Sequence, residues 1–271
     1  MMKYIDISEH QGQIDFAKVK GSVDGVILRC GYGQNGIDKQ FQRNIRECNR
    51  LGIPCGVYFF SYAYTPEMAK KEAERCLAMI APYRVELPVA FDFEYDSVNY
   101  AKKFGVIVNP SLANAIVDAF CSTVEAAGYY CMNYANPDFL NRYMTNVARY
   151  DLWLASWPKV VDVSKPPRKC GIWQWGGREY DGITTGTVDT NEAYKDYASI
   201  IRNAGLNRLT DEVCADCVIE QPKTWYDDAM NWAKDNGIMN DGRPEDVATR
   251  AEVAQMLYNL DKRFSGLLED D

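Results

Sequence analysis

Histidine is almost absent: His10 is the only one in 271 residues. The Cys214-Ala215-Asp216-Cys217 pair therefore lacks the second pair, or the histidines, that would complete a zinc site, and the expectation is no metal and no cofactor. Long apolar runs are missing as well. No stretch of 18 apolar residues occurs, which excludes a membrane-crossing helix. The opening Met1-Met2-Lys3-Tyr4-Ile5-Asp6 enters a strand pattern at once, without the basic and then apolar leader of a secretory signal. Action outside the cell would then follow removal of a signal or release on lysis. Clusters of Lys and Arg are also lacking, so nucleic acid is not an expected partner. No GxGxxG or phosphate loop follows the first strand, which weighs against an open nucleotide-binding sheet.

Nine cysteines are present, an odd number, and Cys30, Cys55, Cys76 and Cys131 sit in apolar surroundings. That pattern reads as buried free thiols of a chain folded under reducing conditions. Charge is unevenly spread. Residues 207–271 hold 7 Lys/Arg against 15 Asp/Glu, which is the whole of the net charge of −8, whereas residues 1–206 balance at 23 of each. This shift in composition divides the chain into a unit at 1–206 and a small tail at 207–271.

In the first unit, short apolar runs alternate with helix-period segments. Strands are expected at Tyr4–Ser8, Gly25–Gly31, Ile53–Ala63, Leu87–Tyr95 and Tyr129–Tyr134. Helices are expected between them, one marked by Phe41, Ile45 and Cys48, one opening at Pro66, and one over 111–127. Strand patterns at Asp151–Trp157, Gly171–Trp175 and Gly186–Asp189 follow with loops between them, and a helix around Ala193–Ile201 closes the unit. Eight strands, the first five alternating with helices, predict a TIM-like parallel β/α barrel with incomplete outer helices. The tail predicts a small helical domain. One helix carries Trp225, Ala229 and Trp232; a second opens on the capping box Thr249-Arg250-Ala251-Glu252.

The chemistry concentrates in Leu87-Pro88-Val89-Ala90-Phe91-Asp92-Phe93-Glu94. Acids are depleted in strands, yet here an apolar strand ends in two of them. Alternation puts Asp92 and Glu94 on one face, with Cα atoms about 7 Å apart. Strand C-termini form the active-site mouth of such a barrel, and neighbouring carboxyls there raise one another's pKa so that one remains protonated. Asp6 in the first strand and Asp189 in the eighth become neighbours if the barrel closes. Tyr58, Tyr134, Trp153 and Trp173 cluster at the same ends, with Gln174 beside them, and aromatic faces next to carboxyls suit a cleft for sugar rings.

Taken together, Tyr4-Ile5-Asp6-Ile7-Ser8, Gly56-Val57-Tyr58, Phe91-Asp92-Phe93-Glu94, Trp173-Gln174 and Val188-Asp189-Thr190-Asn191 resemble the glycoside hydrolase family 25 lysozymes in order and spacing. The resemblance covers about residues 3–200. It implies hydrolysis of the β-1,4 bond between N-acetylmuramic acid and N-acetylglucosamine in bacterial peptidoglycan, with Glu94 as general acid and Asp6, Asp92 and Asp189 around it. Retention, inversion and participation by the substrate's N-acetyl group remain open. Phe59 stands where many relatives have His, a departure expected to fall on a substrate contact. The tail resembles a single S-layer homology repeat, which implies binding of secondary cell-wall polysaccharide through Trp225 and Arg250. Packing alone, or assembly of copies through the tail, are its other readings. The rival functions are a non-catalytic wall-binding protein and a hydrolase of another N-acetylhexosamine polymer.

Overall fold

The computed structural model describes residues 1–209 and, beyond them, Trp232, Val253 and Leu257. Two compact units divide the chain, Met1–Asp216 and Cys217–Asp271. In the second, the three described residues are helical and exposed. Trp225, Arg250, Cys214, Cys217 and the Thr249–Glu252 box lie outside the described residues.

In chain order the first unit contains β1 (Met2–Ile7), α1 (Phe16–Val19), β2 (Gly25–Tyr32), β3 (Gly36–Ile37), α2 (Phe41–Leu51), β4 (Cys55–Phe60), α3 (Pro66–Ile80), β5 (Val89–Asp92), α4 (Tyr95–Lys103), α5 (Pro110–Ala126), β6 (Cys131–Ala135), α6 (Pro137–Arg142), β7 (Asp151–Ala155), β8 (Ile172–Arg178), β9 (Val188–Ala193) and α7 (Tyr197–Asn203). Three helices begin by one device, a polar cap followed by proline. Thr65, Asn109 and Asn136 each accept a backbone N–H of the first turn, and Pro66, Pro110 and Pro137 follow where no N–H is needed. At the other end of α2, Gly52 takes the left-handed conformation (φ 67°) that stops the helix.

The sheet runs β1-β9-β8-β7-β6-β5-β4-β2-β3, and β1 also pairs with β2. That last pairing closes an eight-stranded barrel, with the two-residue β3 hanging on β2 as a hairpin. The barrel is mixed where an all-parallel one was expected. β9 is antiparallel to both β8 and β1, because the connection over 179–187 is too short to hold the crossover that parallel pairing demands. Outer helices are incomplete, as the sequence predicts: no helix stands between β7 and β8 or between β8 and β9.

Period-two alternation sorts the strand residues into two layers. Outward-facing Val26, Leu28, Val57, Val89 and Phe91 form the main core with Phe41 and Ile45 of α2, Ala73 and Cys76 of α3, and Ile116 and Phe120 of α5. Inward-facing Tyr4, Ile27, Ala90, Met132, Trp153 and Ile172 fill the barrel, joined by Tyr197 and Ile201 of α7. Asn207, buried and in the left-handed region (φ 55°), seals the lower end. Its amide donates to Val85 O and Leu87 O, both at 3.0 Å, and accepts from Tyr130 N–H at 2.8 Å. The barrel unit thus extends past residue 206. The seven cysteines among the described residues are all free thiols.

Candidate active site

The inward face that is apolar low in the barrel turns polar at the upper rim. Two residues above Tyr4 stands Asp6; two above Ala90 stands Asp92; two above Met132 stands Tyr134; two above Ile172 stands Gln174. These four, with Tyr58, Trp153, Glu94 and Asp189, line a cavity of about 270 Å³. Ile7, Ser8, His10, Gln11, Arg29 and Phe60 complete the lining.

Asp6 and Asp189 are register partners across the β1–β9 ladder. Asp92 is the last residue of β5, and Glu94 follows as the N-cap of α4, its backbone still extended (φ −128°, ψ −168°). Alternation therefore carries past the strand end and keeps both acids at the cavity. The strand itself stops short of the expected Tyr95, since α4 begins there. Ser97 Oγ accepts the Glu94 N–H at 3.1 Å and donates to Ser61 O at 2.6 Å, which ties the start of α4 to the end of β4.

Around Asp6 the hydrogen bonds form one connected set. Asp6 Oδ2 accepts from Gln174 Nε2 at 3.0 Å and Asn191 Nδ2 at 2.8 Å. Asn191 Oδ1 accepts from Trp153 Nε1 at 2.7 Å, and Gln174 Oε1 from Tyr134 OH at 3.1 Å and Trp157 Nε1 at 3.2 Å. Both ends of the Gln174 amide are thus engaged by protein groups, and Gln174 also lines the cavity. Arg29 is the one Arg or Lys in the lining. Its Nε bonds Asp38 at 2.8 Å and a terminal nitrogen bonds Glu9 at 2.9 Å.

Burial raises all four carboxyls, and for Asp6, Asp92 and Glu94 neighbouring acids add to it. Burial, then the Asp189 charge, pushes Asp6 up to about 7, against the hydrogen bonds from Asn191 and Gln174. Asp92 is held well above the carboxylate range by burial and then by Glu94 and Asp6, with Arg29 pulling the other way. Its buried Oδ1 finds no hydrogen-bond partner among the described residues. Burial also raises Glu94, a hydrogen bond with Tyr134 opposes this, and Asp96 and Asp189 add to the rise. Burial raises Asp189. Raised carboxyls of this kind keep their protons to higher pH than free ones, which suits acid-assisted hydrolysis.

Two expectations need correction. Trp173 does not reach the cavity: it is 1% exposed, packs with Leu154 and Trp175 on the opposite face from Gln174, and donates to Ser156 O at 2.8 Å. Phe59 is likewise turned outward into the main core, its ring 6.0 Å from that of Phe120, so its exchange for His touches no cavity position. Among the residues not anticipated, Arg29 and Gln11 leave little trace in sequence. Asn191 does leave one, since it stands two residues after Asp189 and alternation turns both inward.

A barrel whose C-terminal mouth gathers carboxyls and aromatics over a solvent-open cavity is the architecture of a glycoside hydrolase. Residues 5–183 match the family described as glycosyl hydrolases family 25, and the chain belongs to that family. The modular autolysin LytC from Streptococcus pneumoniae, solved with a synthetic peptidoglycan ligand, is 33% identical with a TM-score of 0.60, over 70% of this chain and 46% of that one. This chain therefore spans about half the length of that relative. A family 25 glycosyl hydrolase from Bacillus anthracis is 22% identical (TM-score 0.60, 74% and 92% covered). The bacterial lysozyme from Streptomyces coelicolor is 20% identical (TM-score 0.58, 77% and 98%). These last two share the fold. No curated protein sequence matches the chain.

Proposed function

We propose that the chain is a peptidoglycan hydrolase of lysozyme type, cleaving the β-1,4 bond between N-acetylmuramic acid and N-acetylglucosamine. The observation that carries this reading is the convergence of Asp6, Asp92, Glu94 and Asp189 on one cavity at the barrel mouth. Glu94, half-buried at the rim, gives its proton to the glycosidic oxygen as the bond to the anomeric carbon breaks. Asp92 and Asp6 lie deeper and stabilise the oxocarbenium-like centre, with Asp189 beside them. Water then supplies a hydroxyl to the anomeric carbon and returns the proton. Tyr58, Tyr134 and Trp153 shape the floor on which the sugar rests. Family membership and the peptidoglycan ligand of the autolysin relative support this substrate.

Digestion of purified peptidoglycan, with the new reducing end identified by mass spectrometry, tests the proposal. A muramic-acid reducing end is expected; a glucosamine end, or no cleavage, would overturn it. Binding of the same walls without turnover would favour the non-catalytic alternative, and turnover only of other N-acetylhexosamine polymers the second.

For the tail we propose contact with secondary cell-wall polysaccharide through Trp225 and Arg250, at an extracellular or wall location. The reading is supported by the resemblance to one S-layer homology repeat. The tail is strongly acidic, so such affinity must come from specific contacts and not from net charge. Full-length W225A/R250A should sediment less with intact walls than the parent. Equal sedimentation sinks the idea, and a change of molecular mass alone would make the tail an assembly device.

A further inference from the structure

Among the side chains that hydrolysis leaves unused, a set of aromatic rings runs out from the mouth. Phe60, at the end of β4, lines the cavity, and its ring centroid lies 5.1 Å from that of Tyr62. Tyr62 meets Tyr100 of α4 at 4.9 Å, and Tyr100 meets Phe104 at 5.0 Å. None of these four rings belongs to the apolar clusters that build the core. Phe104 is 54% exposed and the other three are half-buried. Aromatic side chains of this size normally bury most of their surface in a core or an interface. Here they touch one another in a row that starts inside the cavity and ends on Tyr64, whose ring stacks on Phe104 at 5.0 Å and joins the row to the main core.

The strand end that bears the row is tied down from below. Glu72 of α3, fully buried, accepts Ser61 Oγ at 2.5 Å and Tyr62 N–H at 3.2 Å. Ser61 O in turn receives the Ser97 hydroxyl of α4, so the strand end bearing Phe60 and Tyr62 is fastened to the helix bearing Tyr100. Gly33 (φ +54°) clears the other side: a Cβ there would stand 3.1 Å from the Tyr62 ring. Rings fixed before a ligand arrives lose little entropy on binding it.

We propose that Phe60, Tyr62, Tyr100 and Phe104 form a sugar-stacking track that carries the glycan strand out of the cavity and over α4, past the cleaved bond. The inference rests on the cavity being a glycan-hydrolase site. The occupant follows from continuity, since Phe60 belongs to both cavity and track, and from chemistry, since pyranose C–H faces stack on aromatic faces. The track makes the enzyme prefer long strands to short ones.

Steady-state kinetics on long purified glycan strands and on a soluble muropeptide tetrasaccharide test this in the full chain. In Y100L/F104L, leucine keeps apolar bulk but not the flat ring. The ratio of kcat/KM on strands to kcat/KM on tetrasaccharide should fall about tenfold, about threefold per ring lost, mostly through KM. An unchanged ratio overturns the track while leaving the hydrolase reading intact. Failure of the parent to cleave either substrate overturns both. Should the double variant fail to fold, F104S at its exposed position gives the same comparison with a fall of about threefold expected. A ratio unchanged there, with binding of a protein partner lost instead, would reassign the rings.

Discussion

Asp6 and Asp189 face each other across an antiparallel strand pair, direct register partners in the ladder yet drawn from the two ends of the barrel sequence. The Asp189 charge makes ionisation of Asp6 harder. The Asp189 charge also holds up Glu94. Removing it with D189N should therefore let Glu94 and Asp6 release their protons at lower pH. The alkaline limb of the pH–rate profile, where the acid loses its proton, should move toward acid, whatever happens to the maximal rate. A limb that stays in place would detach Asp189 from the proton donor.

The donor itself is tested by E94Q, which keeps the shape of the side chain and removes the titrating group. Turnover of peptidoglycan should fall by at least ~10²-fold, the scale of general-acid catalysis. Near-parental turnover would move that role to another of the four carboxyls.

Trp173 and Trp153 should part company. W173F lies in the outer cluster, where it loses the 2.8 Å bond to Ser156 O. It should cost about 1 kcal/mol of stability, seen in denaturant unfolding, with kcat/KM changed by less than about twofold. W153F also removes the indole donor to Asn191, leaves a buried acceptor unpaired, and loosens the set that orients Asp6, so kcat/KM should drop. Equal effects on activity would contradict the placement of the two rings.

Glu72 supplies a stability test that needs no substrate. Burial raises its carboxyl from 4.5 to about 7, against bonds from Ser61, Tyr62 and Gln34. Across that window the folded chain holds a proton that the unfolded chain has released. Stability therefore falls as pH rises from about 4.5 to 7, and levels off above. Asp6 contributes in the same direction from 3.8. E72Q should lose its share of this slope, and urea unfolding across the window will show whether it does. Identical slopes in parent and variant would mean that Glu72 titrates normally.

The barrel was legible because each buried strand reads as a short apolar run, and the site because acids interrupt such runs at Asp92 and Glu94. The direction of β9 was not, since it depends on how far residues 179–187 must travel and not on residue type. α4 was also hidden: only Ser97 and Ala101 of its nine residues are buried, too few for a periodic stripe. Arg29 sits inside an apolar strand, and its partners Asp38 and Glu9 lie nine and twenty positions away. The outward place of Trp173 is itself legible in the sequence, because adjacent strand residues point to opposite faces and Gln174 takes the inner one.

Closure of the barrel has a kinetic side. β1 is hemmed by β2 on one edge and by β9 on the other, and the Asp6–Asn191 bond spans 185 residues. During synthesis β1 has one pairing edge vacant until nearly the whole barrel has left the ribosome, and so does β8. Contacts this distant in sequence slow folding. Nascent chains stopped before Val188 should stay open to protease, and those extended past Asn207 should become resistant. If chains ending before β9 were already resistant, closure would not be the step that completes the fold.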